Sequence, residues 1–542
     1  MIRDTGQLAH ETFDVLVIGG GIHGLTTAYE GAQRGLRVAL VERRDFGAAT
    51  TFNHHKTLHG GLRYLQTADF QRMRESIGER RAFARIAPQL ISPQAFVTPT
   101  WPRLARSAIA LRAAFVVDQL LAYDRNAGVP ASHHLPPGRV LARDEFLGLV
   151  PEARSLPITG GAIWYDYRTD EGDRLTLAFA QAAARFGAVL ANYVDAVEPL
   201  RQNGRIVGMT ARETVSGSLI EIRARVTVNA AGAGAGRIMA GFGARRAFPL
   251  LKAMNVVTRR GASGPAVALP SAEGRLLVAL PWRGRLTIGT SHGDQLSGAD
   301  DTRVTTDEVS TFLDEVNAAF PWLAVTLDEV SIVHRGVVPA RVRPGAPPAL
   351  LDHADVRDHA QDGIEGAVSI LGVKYTTARR LAEQTVDLVA AKLRRTIAPS
   401  RTSQLPLLAP VRGEDVELPK PLDAGPMDRI IRVYGATAAR VLGLHAEQPE
   451  LGRPLAEGVA ITGAQVLEAV RHEMALTLED VVVRRTGLGG AGYPGDAAVR
   501  ACAVLVQQEL GWDAERTEQE IAAVQRFYEI RASESAAEQD RA

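Results

Sequence analysis

Six residues near the start of the chain, Gly19-Gly20-Gly21-Ile22-His23-Gly24, have the spacing G-x-G-x-x-G, which suits the approach of a phosphate to backbone amides. Gly19 permits a tight turn, Gly21 admits a pyrophosphate to the backbone, and Gly24 lets a helix approach a strand. Glu42 follows about 20 residues later, where a carboxylate accepts both hydroxyls of an unphosphorylated adenosine ribose. A second group lies between Gly47 and Leu65. It combines Thr50 and Thr51 with Lys56, His59, Gly60, Gly61 and Arg63, and reads as a ligand-facing loop with cations for an anionic group. Two further turns complete the set: Gly232 within a run of alanines and glycines, and Gly372-Val373-Lys374-Tyr375-Thr376-Thr377.

Each turn sits where a strand ends. Phe13 to Ile18 is apolar and β-branched, Leu25 to Arg34 is helix-favouring, and Gly35 ends the helix before a second strand, Leu36 to Val41. Strand, turn, helix, strand and terminal acid in this order argue against a merely structural glycine turn, although the motif alone does not separate FAD from NAD. Ala224 to Asn229 leads into Gly232, and Ser369 to Leu371 leads into Gly372. The amphipathic stretch after Thr377 starts a helix whose free amides, with Lys374 and Thr376, suit the electron-rich edge of a reduced flavin.

With 62 basic and 61 acidic residues among 542, the chain has no global field to recruit nucleic acid. Cys502 is the single cysteine, in an apolar stretch, so an intrachain disulfide and a cysteine-ligated metal cluster are excluded and no metal site is expected. The first residues lack the apolar core of a signal peptide, and no stretch reaches the roughly 18 to 20 apolar residues of a membrane span. A cytoplasmic protein, soluble or peripheral to the membrane, is the expectation.

The length allows two or three domains. The pattern predicts an α/β fold: a Rossmann-like dinucleotide-binding region over about 12–90, 155–238 and 331–395, and an inserted α+β substrate domain over about 91–154 and 239–330. A proline-rich linker at 396–425, a C-terminal helical domain at 426–530 and a disordered tail at 531–542 complete it. Residues 101–125 leave two readings open, a buried core helix or an interfacial membrane contact, because arginines border an apolar helix.

The opening βαβ unit followed by Lys56-Thr57-Leu58-His59-Gly60-Gly61-Leu62-Arg63-Tyr64-Leu65 resembles the FAD-dependent glycerol-3-phosphate dehydrogenases. Asn229-Ala230-Ala231-Gly232, Pro281-Trp282 and the segment from Gly372 to Thr377 extend the similarity, as does the stretch from Ala475 to Thr486. The resemblance implies FAD rather than NAD, with the loop of residues 56–65 beside the flavin, and peripheral association with bacterial membranes. It also exposes departures. Valine stands at Val338 where the family has a substrate-site arginine, a second such arginine falls near Asp352, Asn255 replaces a common histidine, and Ser291-His292 replaces Thr-Asp.

The expected function is oxidation of a secondary alcohol of glycerol 3-phosphate or a related polyol or polyol phosphate, with hydride transfer to flavin and electrons passed to quinone. An FAD-dependent amine or amino-acid oxidase is the alternative; a dinucleotide-binding sensor is a third reading. Arg63 and Lys374 are expected on the substrate side of the flavin. His292 is expected to take the hydroxyl proton, with His59 as rival. Arg335, Arg341 and Arg343 are candidates to replace the missing charge. His54 and His55 leave a covalent histidyl linkage open, and a homodimer is a further open expectation.

Overall fold

The computed structural model describes residues 1–103, 107–245, 248–351, 353–409 and 424–532. Two sheets dominate it. In the first, the parallel strands Ala367–Leu371, Leu219–Asn229, Thr12–Ile18, Val38–Val41 and Val189–Ala191 lie in that order, with Asp355–Asp358 antiparallel at one edge. Strand residues alternate between two buried faces, as a parallel sheet covered on both sides requires. Val15 and Val17 pack with helices Ile22–Gln33, Gly172–Arg185 and Ala378–Leu393 through Leu25, Tyr29, Phe179, Leu381 and Val386. Leu16 and Ile18 face the opposite way, against Ile206, Met209, Ile238 and Phe242.

The second sheet has ten strands, almost all antiparallel, running from Ala346–Leu350 through Val330–Arg343, Leu250–Gly261, Arg285–Leu296, Leu276–Trp282, Ala266–Pro270, Ile91–Thr100 and Gly160–Thr169 to Thr57–Leu58. Arg139–Ala142 pairs beside Gly160–Thr169. Helix Thr306–Ala319 covers part of its outer face through Val309, Phe312 and Val316. Its start is fixed by a capping box in which Thr305 and Glu308 satisfy each other's backbone amides. Gly160–Thr169 and Val330–Arg343, expected in the dinucleotide-binding segments, therefore pair in the second sheet; their alternation looks the same from sequence in either sheet.

The stretch expected as a linker is in its first part a strap. Leu407 and Leu408 are buried in the first sheet's helix layer, and the Thr402 and Ser400 hydroxyls donate to Glu30 at 2.5 and 2.9 Å. Residues 410–423, Asp352 and the tail from residue 533 lie outside the described residues. Arg531, assigned to the tail, bridges to Thr305.

The C-terminal region is helical, from Ala424–Tyr434 to Ala514–Tyr528, with a π-helical turn over Asp480–Arg485. Cys502 is buried among its helices, and burial pushes the thiol up to about 12. The joint to the first sheet is ionic. Asp45, three residues past Glu42, accepts a bidentate pair from Arg485 at 2.5 and 2.7 Å and a third bond from Arg484 at 2.8 Å, all buried. Burial alone would raise the Asp45 carboxyl, but the two guanidiniums outweigh it and hold the group below its ordinary value. Arg174 makes a parallel pair with Glu473 at 2.6 Å. Removing one partner of such a pair strands charge in the interior, so Arg485→Met should destabilise the protein by about 3 kcal/mol or more. Thermal or urea denaturation reads this; an unchanged midpoint would contradict the joint.

Candidate active site

The first strand ends where three chain segments meet. Gly19 has φ +108°, and a Cβ on it would lie 2.6 Å from the Ala230 carbonyl oxygen; a Cβ on Gly24 would lie 1.8 Å from the Gly19 oxygen. No other residue type fits at either position. Gly21 caps the helix, and the Ile22 amide donates to Thr51 Oγ1 at 3.0 Å. Glu42 lies opposite: its carboxylate accepts the amides of Gly20 at 2.6 Å and Arg44 at 2.8 Å, and burial raises its pKa. A phosphate-accepting helix start beside a carboxylate at the second strand's end forms the cradle a dinucleotide requires.

The other expected cofactor residues line the same seam. Thr50 Oγ1 donates to the Val337 carbonyl at 2.9 Å, stitching the loop to the second sheet. Gly232 follows Asn229, whose side-chain amide donates to Ser369 Oγ at 3.1 Å and so ties the second and third turns together. Gly372 faces the half-buried His23; a Cβ there would lie 2.5 Å from its Nε2, and desolvation pushes that imidazole down to about 4. The His59 amide donates to Thr376 Oγ1 at 3.3 Å, joining the first loop to the last turn.

Lys56 is the exception. Its side chain is fully buried and turned away from this seam, with Nζ 4.7 Å from the Phe52 ring centroid and 5.1 Å from that of Trp282, donating to the Phe52 carbonyl. Burial pushes its pKa down to about 7, so it serves the sheet-to-helix interface rather than an anionic ligand. Of the neighbouring histidines, His54 has both ring nitrogens engaged, by the Thr51 carbonyl at 2.8 Å and Thr169 Oγ1 at 3.1 Å, and it stacks on Tyr375 at 4.3 Å. Burial pushes His55 down to about 3, and its Nε2 has no hydrogen-bond partner among the described residues.

Around His59 the strand pairing creates a dyad. Thr57 and Leu58 pair with Arg168 and Tyr167, which places His59 next to Asp166. Asp166 Oδ2 lies 3.3 Å from His59 Nδ1, Oδ1 accepts the Gly60 amide at 2.7 Å, and Arg80 pairs with the same carboxylate from behind. A Cβ on Gly60 would strike the Arg80 guanidinium at 2.2 Å. The His59 ring is half exposed. Burial would raise Asp166, but Arg80 and then His59 outweigh it, so the carboxylate stays ionised and orients the imidazole. Sequence reasoning missed Asp166 and Arg80. The available signal was an acid inside the aromatic strand Trp164-Tyr165-Asp166-Tyr167.

Beyond His59, Lys374 donates to the Tyr64 hydroxyl and lies 4.4 Å from its ring centroid, and Gly61, at φ +81°, leaves room for that ring. Arg63 is exposed on the 3₁₀ turn Leu62–Thr67. His292 lies across from it on Arg285–Leu296. Its imidazole is lowered first by burial and then by Arg275, with Arg63 adding in the same sense.

The wall of the second sheet between them is apolar: Val338 packs with Leu251, Ala253, Ala340, Leu350 and Val373. Arg335 cannot restore charge there. Its guanidinium donates to the carbonyls of Thr302, Val333 and Phe527 on the opposite face of the strand, and Arg341 shares that parity. Arg343 is exposed near the strand's end. Asn255 is spent on structure, accepting from Thr290 at 2.7 Å and donating to the Asn53 carbonyl at 2.9 Å.

The family model for FAD dependent oxidoreductases matches residues 14–388, and that for the C-terminal domain of alpha-glycerophosphate oxidase matches residues 366–517. A Mycobacterium leprae protein named glycerol-3-phosphate dehydrogenase is 33% identical over 94% of this chain and 87% of its own length. One of the same name from Synechocystis is 29% identical over 97% of this chain and 98% of its own. The chain belongs to the FAD-dependent glycerol-3-phosphate dehydrogenase family. The glycerol-3-phosphate dehydrogenase from Bacillus halodurans, solved with FAD, shares the fold at TM-score 0.74 and 24% identity, covering 97% of this chain and 96% of that one.

As a member of that family the protein is a flavin-dependent oxidoreductase with FAD as its cofactor, and the Gly19–Gly24 turn with Glu42 fits that group. The buried Lys56 carries a pH signature. Its pKa is depressed in the folded state, from 10.5 to about 7, so the unfolded chain binds the extra proton between those values and this group's contribution to stability rises with pH there. Lys56→Met removes the titration. The variant's urea midpoint should exceed the native one at about pH 6, and the advantage should shrink by about pH 9; a pH-independent difference would contradict the buried placement.

Proposed function

We propose that this enzyme oxidises the secondary alcohol of glycerol 3-phosphate or a closely related polyol phosphate, and passes the electrons to a quinone. The observation that carries the reading is the Asp166–His59 dyad beside two cations, Arg63 and Lys374, on the seam between the two sheets. Supporting it are the relatives named glycerol-3-phosphate dehydrogenase over nearly the full chain.

FAD, when bound, supplies the two-electron acceptor for the carbinol C–H. The protein supplies the rest. His59, held by Asp166, takes the hydroxyl proton at Nε2, because the carboxylate fixes the Nδ1–H tautomer and stabilises the imidazolium that results. His292 has no carboxylate among the described residues orienting its ring in this way, and burial and then Arg275 hold its pKa below the ordinary value. Arg63 and Lys374 neutralise the phosphate and the developing alkoxide. The charge thus comes from the first loop and the last turn, while the apolar wall at Val338 takes the carbon chain.

Anaerobic flavin reduction by a panel of polyol phosphates, free polyols, hydroxy acids and amino acids tests the substrate. A polyol phosphate should bleach the flavin fastest; bleaching by amino acids or amines alone would instead make it an amine oxidase. Asp166→Asn should slow reduction on the order of 10²-fold while flavin binding survives. A native rate in that variant would return the proton to His292 or water.

Helix Ala108–Leu121 supports the interfacial reading of its segment over the buried one. Only Phe115 is buried, while Ile109, Val116, Leu120 and Tyr123 are 59–80% exposed along one face, with Arg112 beside them. A stripe of this kind suits the interface of an anionic bilayer, where a quinone is also dissolved; no helix among the described residues is long and apolar enough to cross one. Flotation with anionic phospholipid vesicles should carry the native protein and not Val116→Glu/Leu120→Glu. Equal flotation would refute this contact, and dissociation of a native dimer by the same variant would assign the face to a second copy.

A further inference from the structure

Behind Glu42, a half-open cleft of about 500 Å³ lies where the turn after the second strand, the loop of residues 300–303 and the last helix converge. Arg44, Arg303, Arg526 and Arg531 line it. All four side chains are exposed, and none makes an ion pair among the described residues. The acids of the same cleft are already engaged: Asp300 with Arg43 at 2.7 Å, Asp301 with Lys252 at 3.1 Å, and Glu479 with Arg484 at 2.7 Å.

The floor is rigid. Arg335, largely enclosed, spans it with three bonds to carbonyls, from Nε to Thr302 at 3.0 Å and from its two Nη atoms to Val333 at 3.1 Å and Phe527 at 3.0 Å. These bonds tie the loop of the second sheet to the last helix, so the rim arginines stand on a fixed frame.

Five arginines, counting Arg335, outnumber the three carboxylates that line this concavity, so the four rim guanidiniums repel one another, and a concave low-dielectric surface focuses their field. Only a ligand with several negative charges balances them, and guanidinium is matched to phosphate oxygens. The volume is that of a small-molecule site rather than a macromolecular face. We propose that this cleft binds a small molecule carrying a diphosphate or two phosphate groups. It is separate from the seam that holds FAD and substrate, and its link to that seam is the Arg44 amide, which donates to Glu42 at 2.8 Å. The inference does not depend on the substrate reading above.

The test is calorimetric titration of the FAD-loaded enzyme with inorganic pyrophosphate at constant ionic strength, compared with Arg303→Gln/Arg526→Gln. Both substituted residues are exposed and outside the catalytic seam, so flavin content and substrate-driven flavin reduction should stay native in the variant. Saturable binding to one site is expected, weakened at least about ten-fold in the double variant. Orthophosphate should bind more weakly than pyrophosphate, and saturating glycerol 3-phosphate should leave pyrophosphate in place. Absence of saturable binding at millimolar pyrophosphate, equal affinity in the variant, equal affinity for orthophosphate, or displacement by glycerol 3-phosphate would each overturn the proposal. Arg531→Gln, at the other end of the cleft, gives a second reading should the double variant lose its flavin.

Discussion

The architecture depends on a single close approach at the end of the first strand. Gly24 lies so near the Gly19 carbonyl, and Gly19 so near Ala230, that neither position has room for a methyl group. Gly20 is hemmed in as well, with Phe46 and Glu42 where a side chain would go. This proximity brings the helix start, the carboxylate of the second strand and the turn after Leu219–Asn229 to one point. The remaining segments are fixed relative to that point: Asp45 is clamped by Arg484 and Arg485, Thr50 is bonded to the second sheet, and Asn229 is bonded to Ser369. The C-terminal helices thereby hold the loop that carries Glu42, so a domain remote from the chemistry contributes to the cofactor cradle.

At the other end of the seam, polarity is distributed unevenly. The first loop and the last turn bring Arg63, Lys374 and the Asp166-oriented His59, whereas the facing sheet offers Val338, Leu251 and Ala253. A buried dianion needs charge-assisted donors. Here they come from one side only, and the other side is suited to carbon. A further positive surplus lies elsewhere, in the cleft behind Glu42, where five arginines meet three acids.

The dinucleotide-binding half was legible in the sequence because its signals are local: each glycine turn directly follows an apolar strand, and Glu42 sits at a fixed spacing from Gly24. Non-local relations were less so. Nothing near Lys56 reveals that Phe52 and Trp282, more than two hundred residues apart, enclose its amine. His59 was read as a candidate, but Asp166 is more than one hundred residues away and becomes its partner only through the antiparallel pairing of Thr57–Leu58 with Gly160–Thr169. The strap at Leu407–Leu408 read as linker because prolines and polar residues surround two leucines whose burial is decided by the helix layer beneath. Arg335 looked available for a phosphate, yet strand parity turns it to the opposite face.

The central claim is that the reacting end of the cofactor lies where the loop of residues 59–64 meets the turn of residues 372–376. An electron-density map of the FAD-loaded protein with a polyol phosphate bound tests it most directly. The account predicts the isoalloxazine ring against Gly60, Gly372 and Thr376, the ligand hydroxyl within hydrogen-bond reach of His59 Nε2, and the phosphate beside Arg63 and Lys374. A ligand whose hydroxyl faces His292, or whose phosphate is held from the Val338 side, would contradict it.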